Sequence, residues 1–332
     1  MQEPKVDLRN PAPSGLTDAP VKDGEVPAAV AGDAWWSTAE FQEAQSYTVK
    51  PGGVWHYENP YRALDFRSKY INVIDGLRKS WRPPACDCRR LKVWVYGGST
   101  AWGIGQRDDH TIPSELARVA HEHGMTIDVD NRGLPGDHHW IEAERLAYDL
   151  TIEPPPDLVV FYDGVNDRWW ERGLHDRIFD EIWIQSGRSQ GRPPRGRTGS
   201  RIMPPPTLDS QGLQLTAEGV RRWDLARKMS KATSKATGVP VRYIWQPERY
   251  SRPFEPTEPH FDTRHENDAR KASQFAEENL APDVIDLTRA LDRTKGPIYT
   301  DDAHHNERGA RVIAEAMFAA LQDDLRAIEA KA

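Results

Sequence analysis

The sequence predicts an α/β protein, a three-layer α/β/α sandwich around a five-stranded parallel sheet. Three observations carry this. Short apolar runs recur between residues 91 and 287, helical patterns separate them, and most of the runs end at glycine or a polar turn. Strands that alternate with helices pair in parallel through right-handed crossovers, which leaves helices on both faces.

Taken in order, residues 1–33 are rich in Pro, Gly, Ala and Asp without periodicity and read as a flexible tail. Residues 34–90 carry aromatics in short mixed patterns and read as an extension packed on the main domain, which spans 91–332. Its first strand is Leu91–Tyr96, entering a tight turn at Gly97 and Gly98. A helix follows with Ile112, Leu116 and Val119 on one face and Pro113 in its first turn. Ile127–Asp130 is the second strand, 141–150 a helix, and Asp157–Tyr162 the third strand. Residues 171–213 break the rhythm. Arg188, Arg192, Arg195, Arg197 and Arg201 lie there among Gly, Pro and Ser, and the stretch reads as a long insertion or lid. Helix resumes near Thr216, Val241–Trp245 is the fourth strand, and Ala269, Ala272, Ala276 and Leu280 mark a helical face. Val284–Leu287 is the fifth strand. The last helix starts near Glu307, with Ala310, Ile313, Met317 and Leu321 inward.

Composition narrows the function. The 332 residues are 38 % hydrophobic and 29 % charged, which is the balance of a globular protein. A net charge of −7 argues against a general nucleic-acid binder. No apolar run approaches the roughly 20 residues of a membrane helix. The N-terminus has no secretory signal pattern, so cytoplasm is the default expectation, with an exported or anchored precursor left open. Cys86 and Cys88, one residue apart, read as poorly placed for a disulfide and too few for structural zinc.

In open α/β sheets ligands bind beyond the C-terminal strand ends, so those segments hold the candidate site residues. The first is Gly97-Gly98-Ser99-Thr100. The second runs from Asn131 through Gly133 and Gly136 to Asp137. The third is Asp163-Gly164-Val165-Asn166-Asp167, and the chain beyond the fifth reaches Asp301-Asp302-Ala303-His304-His305-Asn306. Ester hydrolysis needs a nucleophile, a base, a group to orient that base and donors for the oxyanion. Ser99, beside glycines after a buried strand, supplies the first. His304 supplies the base and Asp301 its orienting partner. The N–H groups of Ser99 and Gly136 and the Asn166 amide supply the donors, and losing one such donor costs about 3 kcal/mol.

These four segments, GGST, NRGLPGD, DGVND and DDAHHNERG, resemble in order and spacing the four blocks of the SGNH (GDSL-type) hydrolases. The resemblance covers roughly residues 91–325. It implies a flavodoxin-like sheet, activity on esters or O-acyl groups of small molecules or carbohydrates, and no cofactor. It assigns the namesake roles to Ser99, Gly136, Asn166 and His304, and the triad acid to Asp301. Gly98 and Thr100 stand where the name-giving pattern has Asp and Leu, which leaves the subfamily open.

Other readings of the same residues remain at this stage. Asp302–His305 has the triad spacing too, though only His304 sets Asn306 and Gly309 where the resemblance has them. Asp163 and Asp167 read as loop-fixing residues. His138-His139 and His304-His305 invite a metal reading, but no ligand spacing such as HExxH supports it, and no metal is expected. The glycine-rich stretch after the first strand lacks the Gly-Lys-Ser/Thr ending of a phosphate loop. Among twelve tryptophans, Trp102, Trp140, Trp169 and Trp170 follow the motif segments, where an indole can stack on a sugar ring. An O-acyltransferase with the same triad and an inactive binding protein of this fold are the rival functions. Oligomeric state is not legible.

Overall fold

The computed structural model describes residues 26–49, 62–168, 210–253, 255–258, 263–301 and 303–331. Helix α1 (Ala39–Val49) precedes three short strands, β1 (Phe66–Arg67), β2 (Asn72–Ile74) and β3 (Leu77–Arg78). Then come β4 (Leu91–Gly97), α2 (Ser99–Trp102), α3 (Ile112–Glu122), β5 (Ile127–Asn131), α4 (His139–Ile152), β6 (Leu158–Asp163) and α5 (Val165–Arg168). The described chain continues with α6 (Ser210–Thr237), β7 (Val241–Trp245), α7 (Thr263–Glu278), β8 (Val284–Asp286) and α8 (Glu307–Glu329).

The five predicted strands form the parallel part of the sheet, in the order β5-β4-β6-β7-β8. Numbered among themselves this is 2-1-3-4-5, the flavodoxin-like winding, whose switch point falls between β4 and β6. The sheet is wider than predicted. Strands β1–β3 add an antiparallel meander, and β3 pairs with β5 through Arg78 opposite Asn131, giving eight strands. The strands are too short to show alternation. Their turn is nevertheless a two-residue Asp75-Gly76 hairpin with both residues at positive φ (54° and 74°).

Alternation along the central strands builds two cores. Val93, Val95, Val129, Val160 and Tyr162 face α3 and α8, meeting Leu116, Ile313, Met317 and Leu321. Trp94, Tyr96, Val159, Phe161, Tyr243 and Trp245 face the other way and meet Leu146, Val220, Trp223 and Ala276 of α4, α6 and α7. Each large aliphatic side chain so buried stabilises by about 1.5–3 kcal/mol. Helix α8 forms where predicted because Asn306 caps it, accepting from the Gly309 N–H at 2.9 Å, and Ala310, Ile313, Met317 and Leu321 recur on one side. Helix α6 begins at Ser210, inside the predicted 171–213 insertion; residues 171–209, with the five arginines, lie outside the described residues.

Two expectations at the N-terminal side need correction. Ala29 and Val30 are buried, and the Asn306 amide donates to the Ala29 carbonyl at 2.6 Å, so the chain meets the core before residue 33. Cys86 and Cys88 are paired as a disulfide, with Cα atoms 5.2 Å apart. One intervening residue still allows the usual Cα span. A loop this short constrains the unfolded chain little, so the bond adds little to overall stability. Among the described residues no helix is long and apolar enough to cross a membrane.

Candidate active site

The site stands at the switch point. Strand β4 ends at Gly97, and Gly98 caps the one-turn helix α2, of which Ser99 is the first residue. Ser99 is half-buried, and its Oγ lies 2.7 Å from His304 Nε2. His304 Nδ1 lies 2.6 Å from Asp301 Oδ2. The other Asp301 oxygen accepts the main-chain N–H groups of Ala303 (2.8 Å) and His304 (2.7 Å), so the carboxylate holds both ring and loop. Burial alone would raise the Asp301 pKa. The charge of His304 and these hydrogen bonds outweigh it and hold the carboxyl below its ordinary value.

The Asp/His doublets resolve in the same loop. His305 is turned into the core, where Gln106 Nε2 approaches its Nδ1 (3.0 Å) and donates to its carbonyl (2.8 Å). Gln106 thereby ties the serine loop to the histidine loop. Asp302 lies outside the described residues. Burial pushes the His305 pKa down to about 4. The unfolded chain takes up this proton near pH 6.5 and the folded chain only near 4, so stability held above pH 6.5 is lost as pH falls through that window. We predict a loss of about 3 kcal/mol across it, read as denaturant midpoints. In His305→Gln that slope should flatten; an unchanged slope would place the acid sensitivity on another group.

Ser99 and Asn166 line one small pocket together with Gly98, Thr100, Asp137, Asp163, Gly164, Val165, Asp167 and Gln246. Asn166, on α5 just beyond β6, donates through Nδ2 to the Asp137 carbonyl at 2.6 Å. It packs directly on Gly98: a Cβ added there would come within 2.4 Å of Nδ2. Gly136 lies in the turn after β5, closed by the Asp137 N–H donating to the Leu134 carbonyl at 3.1 Å. Pro135 followed by Gly136 at φ +84° makes this a type II turn, which requires glycine at that point. The turn's own bond leaves the Gly136 N–H unused, one residue from the pocket-lining Asp137.

The tryptophans divide differently from the sequence expectation. Trp102 is fully buried with Ala63, Val73 and Leu134, its ring 5.6 Å from the Arg78 guanidinium, so it does not reach a substrate. The reason is local: α2 is a single turn, and its last side chain points under the sheet edge where Arg78 donates to the Trp102, Gly103 and Gln106 carbonyls. Trp140 is half-buried, its indole N–H donating to Glu144 at 3.0 Å, and it is not among the pocket-lining residues. Trp169 and Trp170 lie outside the described residues.

Two features behind the pocket were not foreseen. Gln246, at the end of β7, accepts from the Thr100 hydroxyl at 2.8 Å, and the strand-end rule used for the other motifs would have found it. The second is a buried charge cluster at the start of α4. His139 Nδ1 lies 2.5 Å from Asp163, its main-chain N–H donates to Asp167 at 3.0 Å, and Arg145 donates to Asp137 at 2.6 Å. His139, Glu142 and Asp163 are close enough to hold a metal ion, with ligand atoms within 4.8 Å of one another. Of the three, His139 and Asp163 pair with each other directly. Burial and the Asp163 charge raise the Glu142 pKa well above its ordinary value. Asp167 holds the start of α4 through the His139 main-chain N–H, whereas the Asp163 carboxylate meets the His139 ring of α4 and the Trp223 indole of α6.

The fold is wound as in the flavodoxin-like class, and it brings a serine, a histidine and an aspartate into one hydrogen-bonded chain. No family model matches the chain, and no curated protein matches it. Solved structures do. An acetyl xylan esterase is 18 % identical over 70 % of this chain and 100 % of its own, with TM-score 0.41. A family 3 carbohydrate esterase of Clostridium thermocellum is 16 % identical over 73 % and 100 %, with TM-score 0.38. A catalytic mutant of an acetylxylan esterase from Geobacillus stearothermophilus is 16 % identical over 69 % and 93 %, with TM-score 0.38. Likeness at this level bears on neither substrate nor activity.

Proposed function

We propose that this chain is a serine esterase that hydrolyses carboxylic esters through an acyl-enzyme on Ser99. The observation that supports it is the unbroken relay from Ser99 Oγ through His304 to Asp301, at 2.7 and 2.6 Å. His304 Nε2 takes the serine proton as Oγ attacks the ester carbonyl, and Asp301 stabilises the imidazolium that results. The tetrahedral oxyanion is met by the Ser99 N–H, which as the first helical residue has no intrahelical acceptor, by the Gly136 N–H, and by the second N–H of the Asn166 amide. His304 then returns the proton to the departing alcohol. Water enters, His304 activates it, and the acid leaves with Ser99 restored.

The acyl group is short in this reading. Of the described residues around the pocket only Val165 is a hydrophobic side chain, while Asp137, Asp163, Asp167, Thr100 and Gln246 are polar. Those side chains are already buried and packed together, so the described walls offer a long acyl chain no apolar channel. With p-nitrophenyl esters, acetate is expected to be hydrolysed with kcat/KM roughly tenfold or more above octanoate. Equal or better octanoate turnover would overturn the short-acyl reading. Absence of turnover together with no fluorophosphonate adduct on Ser99 would overturn the esterase reading itself.

A further inference from the structure

We infer that Arg145 and Asp137 are positioning residues that set the Asn166 amide, a reading that rests on the esterase function above. Asp137 is gripped at one end and grips at the other. Its carboxylate receives Arg145 Nη1 at 2.6 Å, with both side chains wholly buried. Its main-chain carbonyl receives Asn166 Nδ2 at 2.6 Å. It also directly follows Gly136. One residue thus couples the second turn of α4 to two of the three oxyanion donors, which come from different strands.

The coupling restricts what Asn166 can do. A side-chain amide has two N–H groups, and the bond to Asp137 takes one and fixes the amide plane. The flat face against Gly98, where no Cβ fits, blocks the amide from tilting that way. The remaining N–H is the one left for a substrate oxygen. If the Arg145 anchor is lost, the 134–137 turn is freed and Asn166 loses its reference point. A small displacement at such a donor is costly, because the stabilisation depends on preorganised aim.

The surroundings explain why an arginine is needed. Asp137 faces Glu142 on the same helix as Arg145 and Asp163 at the end of β6, with Asp167 of α5 beyond, all buried. The Arg145 guanidinium also lies 5.4 Å from the Tyr96 ring of β4. Without its cation, Asp137 would sit ionised among acids or take up a proton, and burial already raises its pKa to about 6. Either way the grip on the turn is lost.

A double-mutant cycle on ester hydrolysis separates positioning from plain stability. Wild type is first shown to form the fluorophosphonate adduct on Ser99; if it forms none, the esterase reading falls and this inference with it. Arg145→Met, checked as folded by circular dichroism, is expected to lower kcat by roughly 100-fold with KM little changed. Asn166→Ala should cost a similar factor. The two together should cost no more than Asn166→Ala alone, because one acts through the other. Should Arg145→Met not fold, Asp137→Asn, which keeps the carbonyl and the side-chain size, takes its place. Additive losses, or an unchanged kcat in the folded single variant, would overturn the inference.

Discussion

Ser99→Ala is expected to lower ester turnover by about 10⁴-fold or more while leaving the melting temperature within the range of a surface substitution. The two halves of this outcome have separate causes. Ser99 Oγ makes one hydrogen bond, to His304 Nε2, and is half-buried at the pocket, so its removal leaves no core cavity. In the proposed mechanism it is the atom that forms the acyl bond, and the neighbouring Thr100 hydroxyl is committed to Gln246. Residual rate would come from the oxyanion donors alone. Turnover of purified wild type and variant side by side, with thermal melts on the same samples, tests both halves. A variant that retains wild-type turnover would remove Ser99 from the mechanism.

The largest stability effect is expected at Asp149. This residue is fully buried in α4 and receives Arg132 Nη1 at 2.6 Å, Arg62 Nη2 at 2.7 Å and the Tyr96 hydroxyl at 2.7 Å. Arg132 is itself fully buried, with its guanidinium 3.6 Å from the Trp94 ring. Asp149→Ala therefore takes from both arginines their one wholly buried anion, and breaking a buried pair in this way typically costs about 3–5 kcal/mol, a large part of a domain's net stability. Glu153 pairs with the same two arginines but is 27 % exposed. Its alanine variant should lose only about 1 kcal/mol, since water can substitute. Urea unfolding of both variants gives the comparison. A loss below about 1 kcal/mol at Asp149 would mean that the arginines find other partners or water.

What the sequence made legible was whatever one strand and its end could carry. Each parallel strand carries apolar residues and stops at a glycine or a polar residue, so both its existence and its position could be read. The rule that ligands gather at strand ends then picked out Ser99, Asn166 and the Asp301–His304 pair, and the structure brings all four to one place. The choice between His304 and His305 came from the resemblance, because both Asp–His pairs have the same spacing and only His304 sets Asn306 and Gly309 where the resembled blocks have them. Pairing across the sheet was not legible. Strands β1–β3 are two or three residues long, and only the Asp75-Gly76 hairpin announced them. Trp102 was misplaced for a related reason. Its position after Ser99 is readable, but the direction of a side chain at the end of a one-turn helix depends on Arg78, which reaches it from a strand in the extension. The Arg145–Asp137 and His139–Asp163 contacts lie beyond sequence reading altogether, since they join a helix interior to two loops.

The β1–β3 meander has a bearing on self-association. In a five-stranded sheet β5 would be an outer strand, with the unpaired N–H and C=O groups of residues 127–131 facing water. Such an edge is a template for another chain, and on this one Asp128 and Asp130 are the charges that discourage pairing. Strand β3 takes part of that edge, and Arg78, its pairing residue, is anchored on the far side by the carbonyls of Trp102, Gly103 and Gln106. The extension is thus a shield as well as a scaffold. A fragment starting at Leu91 would keep every residue of the serine relay and still uncover the Asn131 end of that edge.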